Sequence, residues 1–289
     1  MQSNNPVFRR SEEFNRGGAN AYGNQTYAGN GATYPGYGTD PSAWGTGTPG
    51  APTTPQATGG PMTIDSVVQK TALTLGTVIV AAFATWVLTP DISGTVSQEA
   101  MATLTGAVMI GALGAFVLSM VNSFKRVISP ALVLAFAVLE GVALGGLSKL
   151  FDAQFGGGIV TQAVIGTFAA FAGTLAAYKF FNIQVGQKFR TFVVAAVFGM
   201  IALSLMEIVL GMFGNAIGLH GFGAMGLLFS VAGLVLGVFM LILDFDFVEQ
   251  GVANAIPERE SWRAAFAMTV SLVWIYTNLL RLLAIFSQD

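Results

Sequence analysis

From Val67 onward the sequence is a succession of apolar runs, at about 67–88, 103–122, 130–150, 160–178, 191–212, 222–244 and 262–286, separated by short polar stretches. A hydrocarbon bilayer offers backbone amides and carbonyls no partner, so a run of about 20 apolar residues that enters it must satisfy them internally as an α-helix. The expected architecture is therefore all-α, a polytopic membrane bundle of seven transmembrane helices. Composition agrees: 10% of residues are charged and 53% hydrophobic, whereas a soluble domain carries about 25% charged residues.

Residues 1–61 lack any apolar periodicity and are rich in Gly, Asn, Thr, Tyr and Pro, as in Tyr34-Pro35-Gly36-Tyr37-Gly38. Such a segment cannot bury enough surface to offset the entropy of ordering it. The chain is expected to divide into a disordered cytoplasmic tail, 1–61, acting as a tether or weak self-association segment, and a seven-helix transmembrane domain, 62–289. With no signal-peptide apolar core in the tail, targeting falls to the first spanning helix.

The residue inventory removes several functions. Net charge is −2, with no basic stripe to neutralise phosphates, so nucleic acid is not an expected partner. Cysteine is absent and His220 is the single histidine, which leaves no Cys/His zinc site and no thiolate nucleophile. Phosphate-loop, HExxH and GxSxG patterns are absent, and the chain is not expected to be an enzyme. A carboxylate-only membrane enzyme would need two acids at one depth on neighbouring helices. Asp244 and Asp246 cannot supply that pair from one helix, since two residues subtend about 200°.

Positive charge in short loops sets orientation. Lys125 and Arg126 follow the second run and Lys179, Lys188 and Arg190 the fourth, whereas the first connection carries Asp91 and Glu99. The N-terminus is expected in the cytoplasm and the C-terminus outside. The loop with Glu249, Glu258, Arg259 and Glu260 then faces the cytoplasm.

Several charged or polar residues fall at depths where an ion is costly. Glu140 sits about ten residues into the third run, near mid-bilayer, either as a packing residue or in an ion path. Glu207, nearer the outer end of the fifth, is closer to the interface. In the last run Trp274, Asn278, Arg281 and Ile285 share one face, and Arg281 either takes Glu140, Asp244 or Glu207 as counter-ion or snorkels outward. Asp244 ends the sixth run, with Asp246 and Glu249 expected as solvated interfacial charges beyond it. Carboxylates oppose the partial negative charge of a helix C-terminus and so require an explanation there. Pro257, Glu258 and Glu260 read as the start and caps of the last helix. His220 falls in a Gly-rich loop and is expected to be solvated or bonded to backbone. Gly141-xxx-Gly145 and Gly233-xxx-Gly237 have the spacing of close helix contacts.

Leu139-Glu140-Gly141 with Gly145, the Asp244-Phe245-Asp246-Phe247-Val248-Glu249-Gln250-Gly251 run, Pro257-Glu258-Arg259 and Trp274-Ile275-Tyr276-Thr277-Asn278-Leu279-Leu280-Arg281 together resemble the Bax inhibitor-1/YccA family, in its actinobacterial branch. The likeness covers roughly 62–286 and leaves the tail outside. It implies a seven-helix fold with the last helix central, acting in a bacterial cell membrane as a pH-sensitive calcium leak. Paired acids ending the sixth helix and within the seventh would gate it, sharing a proton or bonded to an arginine. The first acid carries over to Asp244, with Asp246 as the neighbouring choice, and the second falls on Asn278, which cannot ionise. On straight helix geometry Asn278 lies about 20 Å beyond Ala264, so it meets Asp244 only if the last helix starts well inside the cytoplasm.

The expected function is a passive cation pathway with calcium as the permeant ion and no cofactor. Asp244 would stand at the gate, Glu140 in the path, and Arg281 would act as an ionic latch. The alternative, also implied by the resemblance, is a non-conducting regulator that binds membrane proteins such as a quality-control protease through the tail and the acidic 246–260 loop.

Overall fold

The computed structural model describes residues 60–92, 98–156 and 158–288. The expected disordered tail, Gly60 and Pro61 apart, lies outside the described residues. Seven helices follow in order: α1 Ile64–Leu88, α2 Gln98–Phe124, α3 Pro130–Phe155, α4 Ile159–Phe180, α5 Gln187–Met212, α6 Ala224–Ala253 and α7 Ser261–Phe286, the last preceded by a 3-10 turn at Glu258–Glu260. All seven are long and apolar enough to cross a bilayer. The shortest, α4 at 22 residues, already spans about 33 Å. Large apolar side chains such as Phe83, Ile110 and Phe198 point outward, as a lipid-facing surface requires.

Local chemistry sets the helix starts. Thr63 and Ser66 form a reciprocal capping box at α1, each side chain accepting from the other's backbone N–H, and Pro130 occupies the first turn of α3. The ends bring one correction. The sixth helix does not stop at Asp244; α6 runs 30 residues to Ala253, nine past that acid. Acids in the sequence look like an exit from the membrane, but helicity depends on backbone bonding, which continues. The helix ends where Ala255 takes a left-handed φ of 48° and the N–H of Ile256 bonds back to Gly251, ahead of Pro257. Asp244 is thus removed from the helix terminus, and the conflict with the dipole disappears.

The last helix is central. α7 packs directly on α1, α3, α4 and α6, while α2 lies on α3 and α5 on α6. Its buried positions run from Ser261 to Ile285, whereas α5 buries only Val193, Met200 and Glu207. Both Gly-xxx-Gly pairs prove to be contacts. A Cβ on Gly141 would lie 2.5 Å from the carbonyl oxygen of Val78, and one on Gly145 would strike the Ala82 backbone, so α3 meets α1 along that seam. Gly233 and Gly237 likewise make room on α6 for Asn278 and for Ile275 and Trp274 of α7.

The end at which α1 begins is called proximal and the opposite one distal. At the proximal end the α6–α7 connection is tied to α1. Met62 N–H donates to Ile256 O, Glu258 N–H to Gly60 O, and the Ser66 and Ser261 hydroxyls lie 2.7 Å apart. Glu260 stands at the N-cap position of α7 and Glu258 in the 3-10 turn before it, as expected of the helix start, but neither side chain makes a cap bond. Glu258 pairs with Lys70 at 2.8 Å and Glu260 with Arg263 at 2.6 Å, because both bases are within reach and an ion pair satisfies more of each carboxylate than a frayed first turn can. Arg259 and Arg263 donate to the carbonyls of Ile128 and Arg126, fastening the α2–α3 connection to the same point.

Candidate functional site

The proximal third of α6 presents three acids, and its geometry sends them to three neighbours. Steps of 100° per residue splay Asp244, Asp246 and Glu249 around the helix. Asp246 accepts from Arg190 of α5 at 2.8 Å and from Gln250 at 2.7 Å. Glu249 accepts from the Tyr178 hydroxyl of α4 at 2.5 Å. Asp244 accepts from the Ser271 hydroxyl of α7 at 2.6 Å. Glu249 is exposed, as an interfacial charge should be, but Asp246 is only 6% exposed, and the expectation of a solvated residue is wrong for it. Arg190 reaches in from the first turn of α5 and makes that burial possible. Its sequence signal was present among the loop bases, but nothing local tied it to Asp246, 56 positions away.

Asp244 has no such base. Its hydrogen bond is to a neutral hydroxyl, and no Lys or Arg among the described residues pairs with it. It is partly buried where α6 meets α7. The predicted partner, Asn278, lies elsewhere. Seven residues, or about 10 Å along the helix, separate it from Ser271. Its amide donates to Trp274 O at 2.8 Å, and its side chain fills the gap left by Gly233. Trp274 in turn donates to Gly233 O at 2.8 Å. Asn278 is thus a packing residue of the α6–α7 seam, and Ser271, which the sequence reading missed, is the residue facing Asp244. Its signal was weak, because one serine in an apolar helix commonly bonds to its own backbone.

Glu140 stands apart from both. It lines a cavity of about 250 Å³ between α2, α3 and α7 with Ser119, Phe116, Trp274 and Thr277, and among the described residues no group pairs with its carboxylate. A second, apolar cleft of about 450 Å³ runs between α1 and α4 over α3 and α7, where Ser148 and Tyr276 share a 2.6 Å hydrogen bond.

At the distal end the charges are consumed in holding a loop. Glu207 accepts three backbone N–H groups from the α5–α6 connection, Ile217 at 2.9 Å, Gly218 at 2.7 Å and Leu219 at 3.0 Å. Arg281 donates to the carbonyls of Leu219 and Gly221 and lies 6.0 Å over the Phe229 ring. Leu219 is therefore held by a carboxylate through its N–H and by a guanidinium through its C=O. None of the three proposed acids forms an ion pair with Arg281; loop carbonyls take that place, and Glu207 reaches the same peptide from the other side. His220 is exposed and sets its ring edge-on to Phe229 at 5.6 Å. Contact burial and the Arg281 charge hold its pKa below the ordinary 6.5, partly opposed by Glu207. Lys149, also missed, is 5% exposed. It donates to Trp86 O and Thr89 O at the C-terminus of α1 and pairs with Asp91 at 3.0 Å, where a cation complements the helix dipole.

Among the described residues no group of three or more His, Asp or Glu could hold a metal ion. A bundle of seven apolar helices, the last of them central, with isolated carboxylates set into its seams, defines a multi-pass integral membrane protein. The chain belongs to the family described as Bax inhibitor 1 like, whose sequence model matches residues 5–288. That match takes in most of the Gly- and Tyr-rich tail, which the resemblance had left outside. The chain is also similar, at 29% identity over 159 residues, to an uncharacterized protein of Chlamydia muridarum, the alignment covering 53% of this chain and 63% of that one. The chain thus spans less than two thirds of the length of that curated relative.

Proposed function

We propose that this protein is a passive cation pathway in a bacterial cell membrane, with calcium as the permeant ion and Asp244 as its gate. The observation that carries the reading is the isolation of Asp244. Its neighbour Asp246 is neutralised by Arg190, whereas among the described residues Asp244 bonds only to the Ser271 hydroxyl, so a proton or a passing cation is what remains to balance its charge. A carboxylate bonded across a helix seam closes that seam while the bond holds. The positive charge at the proximal end, from Lys125, Arg126, Lys179, Lys188 and Arg190, supports a cytoplasmic proximal end and, with it, the reading of Asp244 as a cytoplasmic gate.

A single acid facing a serine has no second carboxylate with which to share a proton, so gating by a coupled pair of acids is not part of this reading. Nor does the acidic connection offer a partner protein much free charge, since Asp246, Glu258 and Glu260 are all engaged within the chain. In proteoliposomes Asp244→Ala is expected to raise basal calcium flux several-fold, measured with an entrapped indicator. Unchanged flux from inserted, folded protein would remove Asp244 from the gate.

A further inference from the structure

The cavity beside Glu140 lies about a quarter turn around α7 from Ser271, and the gate does not use it. Its wall combines one carboxylate, the hydroxyls of Ser119 and Thr277, and three aromatic side chains, Phe116, Phe136 and Trp274. Among the described residues no lysine or arginine lines it. From these features we infer that the cavity is a binding site for a small lipophilic organic cation, a quaternary ammonium or alkylamine, that enters from the bilayer.

Three observations select this class. A negative charge near mid-bilayer without a basic partner needs a cation or a proton, and here no described residue supplies the cation. A bare metal ion fits badly, since calcium takes 6–8 oxygen ligands. The cavity offers one carboxylate and two hydroxyls, and the Thr277 hydroxyl already donates to Val273 O at 3.0 Å. Aromatic faces, by contrast, attract an alkylated ammonium through their quadrupoles and tolerate its apolar substituents. Access from lipid follows from the packing: α2 lies on α3 rather than on α7, and Phe116 at the rim is 59% exposed on the outer surface. Glu140 is about 15 Å along α3 from Pro130, too deep for a lipid headgroup, which leaves a free amphiphile as the occupant.

Benzyltrimethylammonium and its uncharged isostere neopentylbenzene separate charge recognition from apolar filling. Titration calorimetry of the full chain in detergent should show saturable binding of the cation. Glu140→Gln should weaken it at least tenfold, and neopentylbenzene should fail to compete. Ser119→Phe, which fills the cavity and leaves the carboxylate in place, should abolish binding, while thermal midpoints confirm that both variants are folded. Asp244→Ala should bind like the wild type, so the site stands or falls separately from the leak. Equal affinity in Glu140→Gln, equal competition by neopentylbenzene, or no binding by the wild type would each overturn the assignment.

Discussion

The distal loop and the central stretch of α7 treat buried charge in opposite ways. At the distal end Glu207 receives three amide N–H groups, Arg281 takes two carbonyls and Lys149 caps a helix, so each charge is paired at the point where it is buried. Along α7 between Val270 and Thr277, Asp244 bonds to one hydroxyl, and the Glu140 carboxylate has no hydrogen-bond or ion-pair partner among the described residues. Buried charge that is fully bonded holds structure in place, and its removal strands its partners. Charge left unbalanced at comparable depth contributes little to stability and persists where something else, an ion or a ligand, supplies the balance. The contrast therefore divides the acids by bonding: Glu207 and Asp246 are bonded into the bundle, and Asp244 and Glu140 are left without a charged partner among the described residues.

Substitutions can break that division. Glu207→Ala leaves the amides of Ile217, Gly218 and Leu219 without their acceptor and frees the far side of the peptide that Arg281 grips. It should give the largest fall in thermal midpoint of any single acid removed and open residues 213–223 to proteolysis. A midpoint like the wild type's would show the loop is held by packing alone. Asp246→Ala should follow, at a cost of about 1–2 kcal/mol, reduced from the value for a fully buried pair because Arg190 is 45% exposed and can return to water. Denaturation of the two variants side by side should place Asp244→Ala well below Asp246→Ala in stability cost. The reverse order would undo the distinction between them.

The smallest effect belongs to His220. Its folded pKa lies below 6.5, so the unfolded chain binds the proton more readily and stability falls as pH drops below about 6.5. Above that pH both states are neutral and the term vanishes. Thermal midpoints at pH 7.5 and 5.5 should show a small drop in the wild type beyond that of His220→Gln; identical drops would remove His220 from the loop's energetics.

Much of this fold was legible in the sequence because lipid leaves an apolar run few alternatives. The helices α1, α3 and α7 begin within a few residues of where their hydropathy rises, and both Gly-xxx-Gly spacings mark real contacts. What misled was the treatment of acids as punctuation. Asp244 looked like the end of a helix that continues to Ala253, and Asp246 looked solvated because Arg190, its partner, is distant in sequence. The site was legible in part. Asp244, Glu140, Glu207 and Arg281 stood out as charges at depth, but which of them were satisfied depends on backbone groups of a loop, and no residue pattern in 213–223 signals three N–H groups turned toward one carboxylate. Asn278 was aligned with the wrong neighbour for a related reason. A motif fixes the order of residues along a helix, while the register between α6 and α7 is set by where Gly233 and Gly237 admit large side chains.

That register is where the account is most exposed. If Ser271 is the residue across the seam from Asp244, then Ser271→Asp creates two facing carboxylates that repel one another and titrate as a pair, and the pH profile of calcium efflux from proteoliposomes between pH 6 and 8 should differ from that of the wild type. Asn278→Asp, about two turns away against Gly233, should leave the pH profile as it is in the wild type. A pH profile that changes with Asn278→Asp and not with Ser271→Asp would contradict both the pairing and the gate built on it.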